Sequence, residues 1–486
     1  MPEAILVLAA LALLAVGLVS ESKGGKSISR RMATGITVVG IMLSAIAVLG
    51  MPDVESGSGL MVMDPLARIA KLLVLGLGLL AVLLPTARNE VVHRGEYHAL
   101  ILFAMTGLLL TCGTTHLLML FVALELASLC LYLLAGFSRT ARAAEAALKY
   151  FLFGGVSAAF LLFGLSLIYG FAHSAEMNAL AAAVAAAPQS PLAMTGLAMV
   201  LVGIGFKLAA APFHYWAPDV YQGAPATSVA LISSASKLVG LVVLIRVVMT
   251  GFDAASGSAE WGRIQAGWSP WLAVLAAVSM VLGNVLAIAQ KSVRRLLAYS
   301  AVANTGYLLV GIAAHGVSAS GSAVFYVVIY GLATLGALVV TAAVERDQGN
   351  DSPASFAGLV HRSPLQAVGM LVFFASLAGV PPLAGFIGKF ALFSSALAAT
   401  QQRENPGLVW LVGLAAVMSA ISLYYYLSVL KQVFVWEGAD VETSPLSGFH
   451  RLAVILPASA LVLLGLFPAL LLDPILLAVA ASLGSR

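Results

Sequence analysis

The chain has 486 residues, of which 61% are hydrophobic and only 9% are charged, and its mean hydropathy is +1.02. This composition lies far outside the range of soluble domains and predicts an all-α polytopic membrane protein. The net charge of +4 reflects basic residues in the loops between apolar segments and does not indicate nucleic-acid binding.

Apolar stretches long enough to cross a bilayer follow one another along the whole chain. A spanning helix needs about 20 mostly apolar residues, and short turns separate the stretches. We therefore predict about 14 transmembrane helices in a single membrane domain over residues 1–486. These helices begin near Ala4, Ile36, Ile69, Ala99, His116, Ala146, Leu192, Thr227, Pro270, Leu297, Ser322, Pro364, Leu408 and Leu452.

The first stretch differs from a secretory signal peptide in its charge. Its one early charged residue is Glu3, whereas a signal peptide begins with a basic region. We expect this stretch to be retained as the first spanning helix.

Basic residues concentrate in every second loop, which sets the predicted orientation. With both termini outside, the inner loops carry Lys23, Lys26, Arg30, Arg31, Arg88, Arg94, Arg139, Arg142, Lys149, Lys291, Arg294, Arg295, Arg346, Arg362, Lys431 and Arg451. The outer loops carry mainly acidic residues: Asp53, Glu55, Asp64, Glu176, Asp253, Glu260 and Glu404, with Arg263 and Arg403.

The sequence has no readable motif for a cofactor. Cys112 and Cys130 both lie in apolar stretches and form no ligand set for zinc or an iron–sulfur cluster. A P-loop is absent, and the glycine-rich letters at 75–80 fall inside a predicted membrane helix. The driving energy is therefore expected to come from a partner protein or an ion gradient, with no cofactor or metal on this chain.

Four ionisable residues lie well inside predicted spans, namely Glu125, Lys207, Lys237 and Lys389. A charge near the bilayer centre costs about 2.5 to 3.5 kcal/mol, so such residues usually face a protein interior or a wet cavity. A buried ammonium can lose and regain its proton, and a carboxylate at an adjustable distance can control that step. The four residues are therefore candidates for proton translocation, whereas the alternative for each is a structural ion pair or a side chain that reaches an interface.

Proline breaks accompany two of these lysines. Lys207 precedes Pro212 in the seventh predicted helix, and Lys389 follows Pro381 and Pro382 in the twelfth. Each proline frees a carbonyl four residues earlier, and a free carbonyl at membrane depth must find another partner.

The mirror-like order of lysine and proline, five helices apart, predicts two inverted five-helix repeats. They comprise helices 4–8, over residues 96–250, and helices 9–13, over residues 268–434. Residues 1–95 would hold helices 1–3, and residues 449–475 would form helix 14.

Several segments resemble one known family. "FVALELASLCLYLLAGF", "EAALKYFLFGG", "GFKLAAAPFHYWAPDVYQGAPA", "KSVRRLLAYS", "SLAGVPPLAGFIGKF" and "YYYL" are similar to subunit N (subunit 2 in mitochondria) of proton-translocating NADH:quinone oxidoreductase, respiratory complex I. The resemblance runs from about Arg88 to Lys431. Subunits L and M and the multisubunit cation/proton antiporters share the lysine and the proline frame, but "PDVYQGAP" looks like subunit N.

The resemblance implies a role for each matching residue. Glu125 and Lys207 would form the coupled pair of a first half-channel, Lys237 would be the central relay, and Lys389 would exchange protons with the outside. Lys149 matches a lysine that would modulate Lys207. Apart from the resemblance, His214 and Asp219 would lie at the inner mouth or at a partner contact. The hydroxyls of Tyr299 and Tyr307, on the tenth predicted helix, are candidates for holding connecting water.

The resemblance also implies partners and a location. Subunits M and L, the small subunits K and J and a peripheral redox arm would surround the chain in a bacterial inner membrane, with both termini periplasmic. FMN, iron–sulfur clusters and quinone would be bound on those partners. The chain would thus be part of an enzyme without carrying a redox centre.

One position departs from the family pattern. The family is expected to have histidine where this chain has Asn304, and asparagine cannot titrate. Bound water or Tyr307 is the expected bridge there.

Two other functions stay open at the level of the sequence. The chain could be a subunit of a multisubunit cation/proton antiporter, which has no redox partners, or a structural membrane subunit whose charges only pack against neighbours.

Overall fold

The structure, a computed structural model, describes residues 1–22, 28–55, 59–84, 91, 93–401, 407–438 and 448–484. Of the loop charges used for the orientation, Lys23, Lys26, Arg88, Arg403 and Glu404 lie outside the described residues.

Helices dominate the fold. In chain order they are α1 (Pro2–Ser22), α2 (Arg30–Leu49), α3 (Pro65–Val82), α4 (Arg94–Cys112), α5 (Leu117–Ala135), α6 (Ala141–Ala172), α7 (Met177–Ala186), α8 (Pro191–Leu208), α9 (Ala217–Gly223), α10 (Ala226–Leu231), α11 (Lys237–Arg246), α12 (Trp268–Ile288), α13 (Val293–Ala313), α14 (Val317–Gln348), α15 (Leu359–Arg362), α16 (Pro364–Ala378), α17 (Ala384–Gln401), α18 (Val409–Phe434), α19 (Gly448–Leu466) and α20 (Ala469–Gly484). Two π-helical segments (Ile232–Ser236 and Val247–Gly251) and two 3-10 turns (Asp253–Ala255 and Pro353–Phe356) complete the helical elements.

A short antiparallel hairpin precedes α3. Its strands are β1 (Val54–Glu55) and β2 (Val62–Met63), with Val54 opposite Met63 and Glu55 opposite Val62.

The helical content and the spans confirm the predicted fold class. In the described part of the chain, thirteen helical segments are long and apolar enough to cross a membrane. The twelfth predicted helix is divided into α16 and α17, and the seventh is interrupted after α8, so both predicted breaks are confirmed. The short helices α7 and α20 were not predicted from the sequence.

Local sequence signals set several helix starts. Asp64 accepts a hydrogen bond from the Ala67 backbone N–H at 2.7 Å and caps α3. Thr140 and Ser292 cap α6 and α13 in the same way, accepting from N–H groups that the first turn leaves unpaired. These caps fix where the long helices begin relative to the turns.

The middle of the molecule is built from α10, α11 and α14. The most apolar stretches of Ala226–Gly251 and Val317–Gln348 are completely buried. By contrast, only a third of the most apolar stretch of α6 is buried. The outer face of α6 exposes apolar side chains such as Leu148, Phe151 and Leu152, as expected for a lipid-facing surface. Lys207 on α8, Lys237 on α11 and Lys389 on α17 are likewise buried, with at most 9% of each residue exposed.

Candidate functional site

Glu125 and Lys207 line one small cavity between α5, α6, α8 and α11. Its volume of 20 Å³ has room for about one water molecule. The Lys207 Nζ donates to Ser128 Oγ at 3.0 Å, and among the described residues no direct salt bridge joins Lys207 to Glu125. The structure thus brings the predicted pair into one cavity but leaves Ser128 as the direct partner of the lysine.

The carbonyl that the break after Lys207 leaves free accepts a hydrogen bond from another helix. Ala209 adopts a left-handed conformation with φ of 57°, which ends α8. Pro212 cannot donate to the Leu208 carbonyl, and Thr305 Oγ1 of α13 donates to that oxygen at 2.6 Å instead. The expectation that a freed carbonyl finds another partner is confirmed here.

The carbonyls that the second break leaves free accept hydrogen bonds from Lys389. Lys389 Nζ donates to the carbonyls of Leu377 and Ala378 at 3.0 and 3.3 Å and to Ser419 Oγ at 2.8 Å. These carbonyls are the two that Pro381 and Pro382 leave unpaired. Because an ammonium has three N–H donors, the three acceptors match the protonated form of Lys389.

Lys237 lies at the start of α11, directly after a π-helical segment. Its Nζ donates to the Ala301 carbonyl of α13 at 2.7 Å and lies 4.6 Å from the centre of the Tyr330 ring. Only 2% of Lys237 is exposed. The hydroxyls of Ser233 and Ser234 bond to the Ala230 carbonyl of their own helix. The lysine is therefore enclosed by a carbonyl and an aromatic face, a cation–π arrangement.

Asn304 belongs to a polar cluster between α13 and α14. Tyr326 donates to Asn304 Oδ1 at 2.5 Å, and Asn304 Nδ2 donates to the Ser300 carbonyl at 2.8 Å. Ser300 and Tyr426 hydroxyls share a short hydrogen bond. Tyr326 is thus the tyrosine that bonds to Asn304, whereas the prediction named bound water or Tyr307.

Tyr307 forms a neighbouring cluster with residues that sequence reasoning missed. Its hydroxyl accepts from Asn284 Nδ2 at 3.2 Å, and Tyr425 donates to Asn284 Oδ1 at 3.0 Å. The Lys389 Nζ lies 5.1 Å from the centre of the Tyr307 ring. Tyr425 stands in the quoted "YYYL" segment, whereas nothing in the sequence singled out Asn284.

Lys149 does not line the cavity that holds Glu125 and Lys207. Its Nζ pairs with Glu145 Oε1 at 2.6 Å and with Asp219 Oδ2 at 2.7 Å, and Asp219 Oδ1 accepts from Arg295 at 2.6 Å. Burial alone would raise the pKa of Asp219, but the hydrogen bonds and charges of Lys149 and Arg295 hold it below its ordinary value.

His214 lies buried in the segment between α8 and α9. Its ring stacks on Tyr215 at 4.8 Å and meets the half-buried Tyr299 edge-on at 6.2 Å. The two predicted supporting residues His214 and Tyr299 are therefore neighbours.

Two buried ion pairs near the start of α3 were also missed by sequence reasoning. Arg246 donates to both carboxylate oxygens of Asp64 at 3.1 and 2.7 Å, and Lys71 pairs with Glu3 at 2.7 Å. Burial would raise the pKa of Asp64, but Arg246 outweighs it and lowers that pKa. The sequence placed Asp64 in an outer loop and Glu3 in the first span, and nothing in it indicated Arg246 or Lys71 as their partners.

Comparisons with known proteins agree with this architecture. The model of the family described as NADH:quinone oxidoreductase/Mrp antiporter, TM, matches residues 114–427. NADH-quinone oxidoreductase subunit N 2 of Acidobacterium capsulatum is 43% identical over 485 residues, with 97% of each chain covered.

Solved structures show the same fold. A chain of respiratory complex I from Thermus thermophilus with bound aureothin has a TM-score of 0.78 and 33% identity, covering 97% of this chain and 99% of that one. A chain of the Mrp complex from Dietzia sp. DQ12-45-1b has a TM-score of 0.84, covering 99% and 97%, but only 20% identity. The Dietzia likeness concerns the fold, whereas the other matches extend to sequence over nearly the whole length. The chain therefore belongs to the antiporter-like membrane subunits of NADH:quinone oxidoreductase, in the subunit N group.

Proposed function

We propose that this chain translocates protons as the antiporter-like subunit N of an NADH:quinone oxidoreductase, driven by quinone reduction on other subunits. The observation that carries the proposal is the buried series Lys207, Lys237 and Lys389, each on a separate helix and each bonded to oxygen acceptors. Glu125 shares the cavity of the first lysine. A buried charge destabilises a membrane core, so ionisable residues there usually have a function.

The residues act by exchanging partners around a proton. When the Glu125 carboxylate approaches Lys207, the ammonium is stabilised and the Nζ keeps its proton; when the carboxylate withdraws, the Nζ releases it toward Ser128 or a water in the cavity. Lys237 would relay charge between the halves. Lys389 would keep its proton on Nζ while the ammonium bonds to its three acceptors. A change at the α16–α17 break that removes one acceptor would release the proton.

Several elements of the proposal rest on family membership. FMN, iron–sulfur clusters and quinone would lie on partner subunits, and M, L, K and J would be membrane neighbours. The chain would lie in a bacterial inner membrane with both termini outside. Helices α4 to α11 and α12 to α18 would form the two inverted repeats.

A multisubunit cation/proton antiporter is the second candidate, because the Mrp chain has the same fold. The partner list from a mild-detergent purification separates the two. Flavin and iron–sulfur subunits that co-purify with the chain would support the proposal, and an assembly lacking them would favour the antiporter.

A purely structural role makes a different prediction. It requires that replacing Lys207 or Lys237 with alanine reduces the amount of assembled complex on a native gel. The proposal requires normal assembly of both variants together with lowered turnover.

A further inference from the structure

The short helix α9, which carries the "PDVYQGAP" letters, is held between the two halves of the chain by charged side chains. Asp219 bonds to Lys149 of α6 through one carboxylate oxygen and to Arg295 of α13 through the other, at 2.7 and 2.6 Å. Arg295 also donates to Gln222 at 3.4 Å. One carboxylate thus connects a helix of the predicted first repeat to one of the second.

The adjacent arginine secures the other end of α9. Arg294 donates to the Ala224 carbonyl at 3.0 Å and pairs with Glu345 of α14 at 2.7 Å. Only 4% of Arg294 is exposed. A cation at this position satisfies a carbonyl at the C-terminal end of α9 and complements the helix dipole.

Close packing explains the glycine of the segment. A Cβ at Gly223 would lie 2.7 Å from the Ala146 Cβ and 2.8 Å from the Arg142 carbonyl oxygen of α6. Because real Cβ atoms do not approach so closely, α9 lies against α6 without room for a side chain. The Asp219–Lys149 contact and this packing therefore fix α9 on α6 from two points.

The same helix α13 also contacts Lys237 directly and the backbone next to Lys207. Besides Arg295, it offers the Ala301 carbonyl to Lys237 and the Thr305 hydroxyl to Leu208, the residue after Lys207. In the chain, α9 lies between the end of α8, which carries Lys207, and α11, which begins with Lys237. A shift of α13 would therefore act on all three points of the first half together.

We propose that Asp219 is a positioning residue that couples the two halves: through Arg295 it holds α9 in register with α13 and so keeps Lys207 and Lys237 in the geometry needed for proton transfer. The inference rests on the proposed proton-translocating function. It gives the "PDVYQGAP" segment a mechanical role inside this chain.

The test uses three variants of the intact complex, Asp219→Asn, Arg295→Gln and the double variant. Asp219→Asn leaves Lys149 paired with Glu145 at 2.6 Å, so no cation loses every partner. Asp53→Asn is the control, because Asp53 and Arg68 form an aspartate–arginine pair at 2.7 Å that lies near the start of α3 and does not connect the halves. Arg295→Lys tests rescue by a conserved charge.

Two quantities are measured for each variant: hydrogen exchange of residues 217–223 and 293–301, and NADH:quinone turnover with proton pumping. We expect Asp219→Asn and Arg295→Gln each to raise exchange in both segments and to lower turnover by about two- to fivefold, the scale of a partly exposed ion pair. The double variant should be no worse than the more affected single variant, because each single change already removes the Asp219–Arg295 link. Arg295→Lys should retain most activity.

Three results would overturn the coupling role: faster exchange in 217–223 alone, turnover equal to the control, or a double variant whose loss is the product of the single losses. If the wild-type complex did not pump, the proposed function would fail, yet the exchange measurement would still decide whether Asp219 links the two segments.

Discussion

At the scale of single residues, the three buried lysines differ in what their ammonium groups contact. Lys207 has a serine hydroxyl, Lys237 a carbonyl and an aromatic ring, and Lys389 three oxygen acceptors. Each bond from an ammonium to an oxygen is charge-assisted. Lys389 is therefore the lysine whose protonated form has the most oxygen acceptors.

Removing one acceptor from Lys389 should slow the cycle. We expect Ser419→Ala to lower turnover by about tenfold, since a hydrogen bond to a charged group contributes about 1.5 to 3 kcal/mol. Ser422→Ala is the control, because the Ser422 hydroxyl bonds to the Ser419 carbonyl of its own helix, at 2.6 Å, and not to Lys389. Equal quinone-reduction rates in the two purified variants would contradict this account of Lys389.

At the scale of elements, the two broken helices satisfy their free carbonyls differently. The α8 break depends on a neighbouring helix through Thr305, whereas the α16–α17 break depends on Lys389. The sequence predicted both breaks and the need for partners. It could not identify Thr305, which is 97 residues from Leu208 and is brought close only by packing.

Replacing the Thr305 hydroxyl with a methyl group should destabilise the first break. Thr305→Val keeps the side-chain shape but leaves the Leu208 carbonyl unpaired, at a cost of about 1 to 3 kcal/mol. We expect a lower melting temperature of the purified complex. Thr341→Val should have little effect, because Thr341 bonds to the Ala337 carbonyl of its own helix at 2.8 Å; similar melting temperatures for both variants would refute the role of Thr305.

At the scale of the whole molecule, hydropathy and loop charge predicted the span count and the fold class, and the proline–lysine pattern predicted the breaks. Side-chain partners far apart in sequence escaped prediction. Asn304 pairs with Tyr326 because α13 and α14 meet in the folded chain, and Lys149 pairs with Asp219 because α6 and α9 do. Apolar patterning determines which helices exist, whereas the polar contacts depend on how they pack.

The buried pair of Asp64 and Arg246 should be structural, because it joins the start of α3 to the end of α11 away from the relay lysines. Arg246→Met removes the cation from the largely buried Asp64 carboxylate and should cost about 3 kcal/mol, seen as a lower melting temperature. Adding Asp64→Asn should recover part of the loss, since asparagine still caps α3. A double variant less stable than Arg246→Met would contradict this explanation.

The most direct test of proton translocation by this chain is the simultaneous measurement of NADH oxidation and proton uptake in inverted membrane vesicles carrying Lys237→Ala. Lys431→Ala, which changes an exposed lysine at the end of α18, is the control. We predict normally assembled complex in both, with both rates lowered together by about 100-fold in Lys237→Ala, the scale of a positioned proton-transfer group. Full proton uptake by Lys237→Ala would contradict the relay.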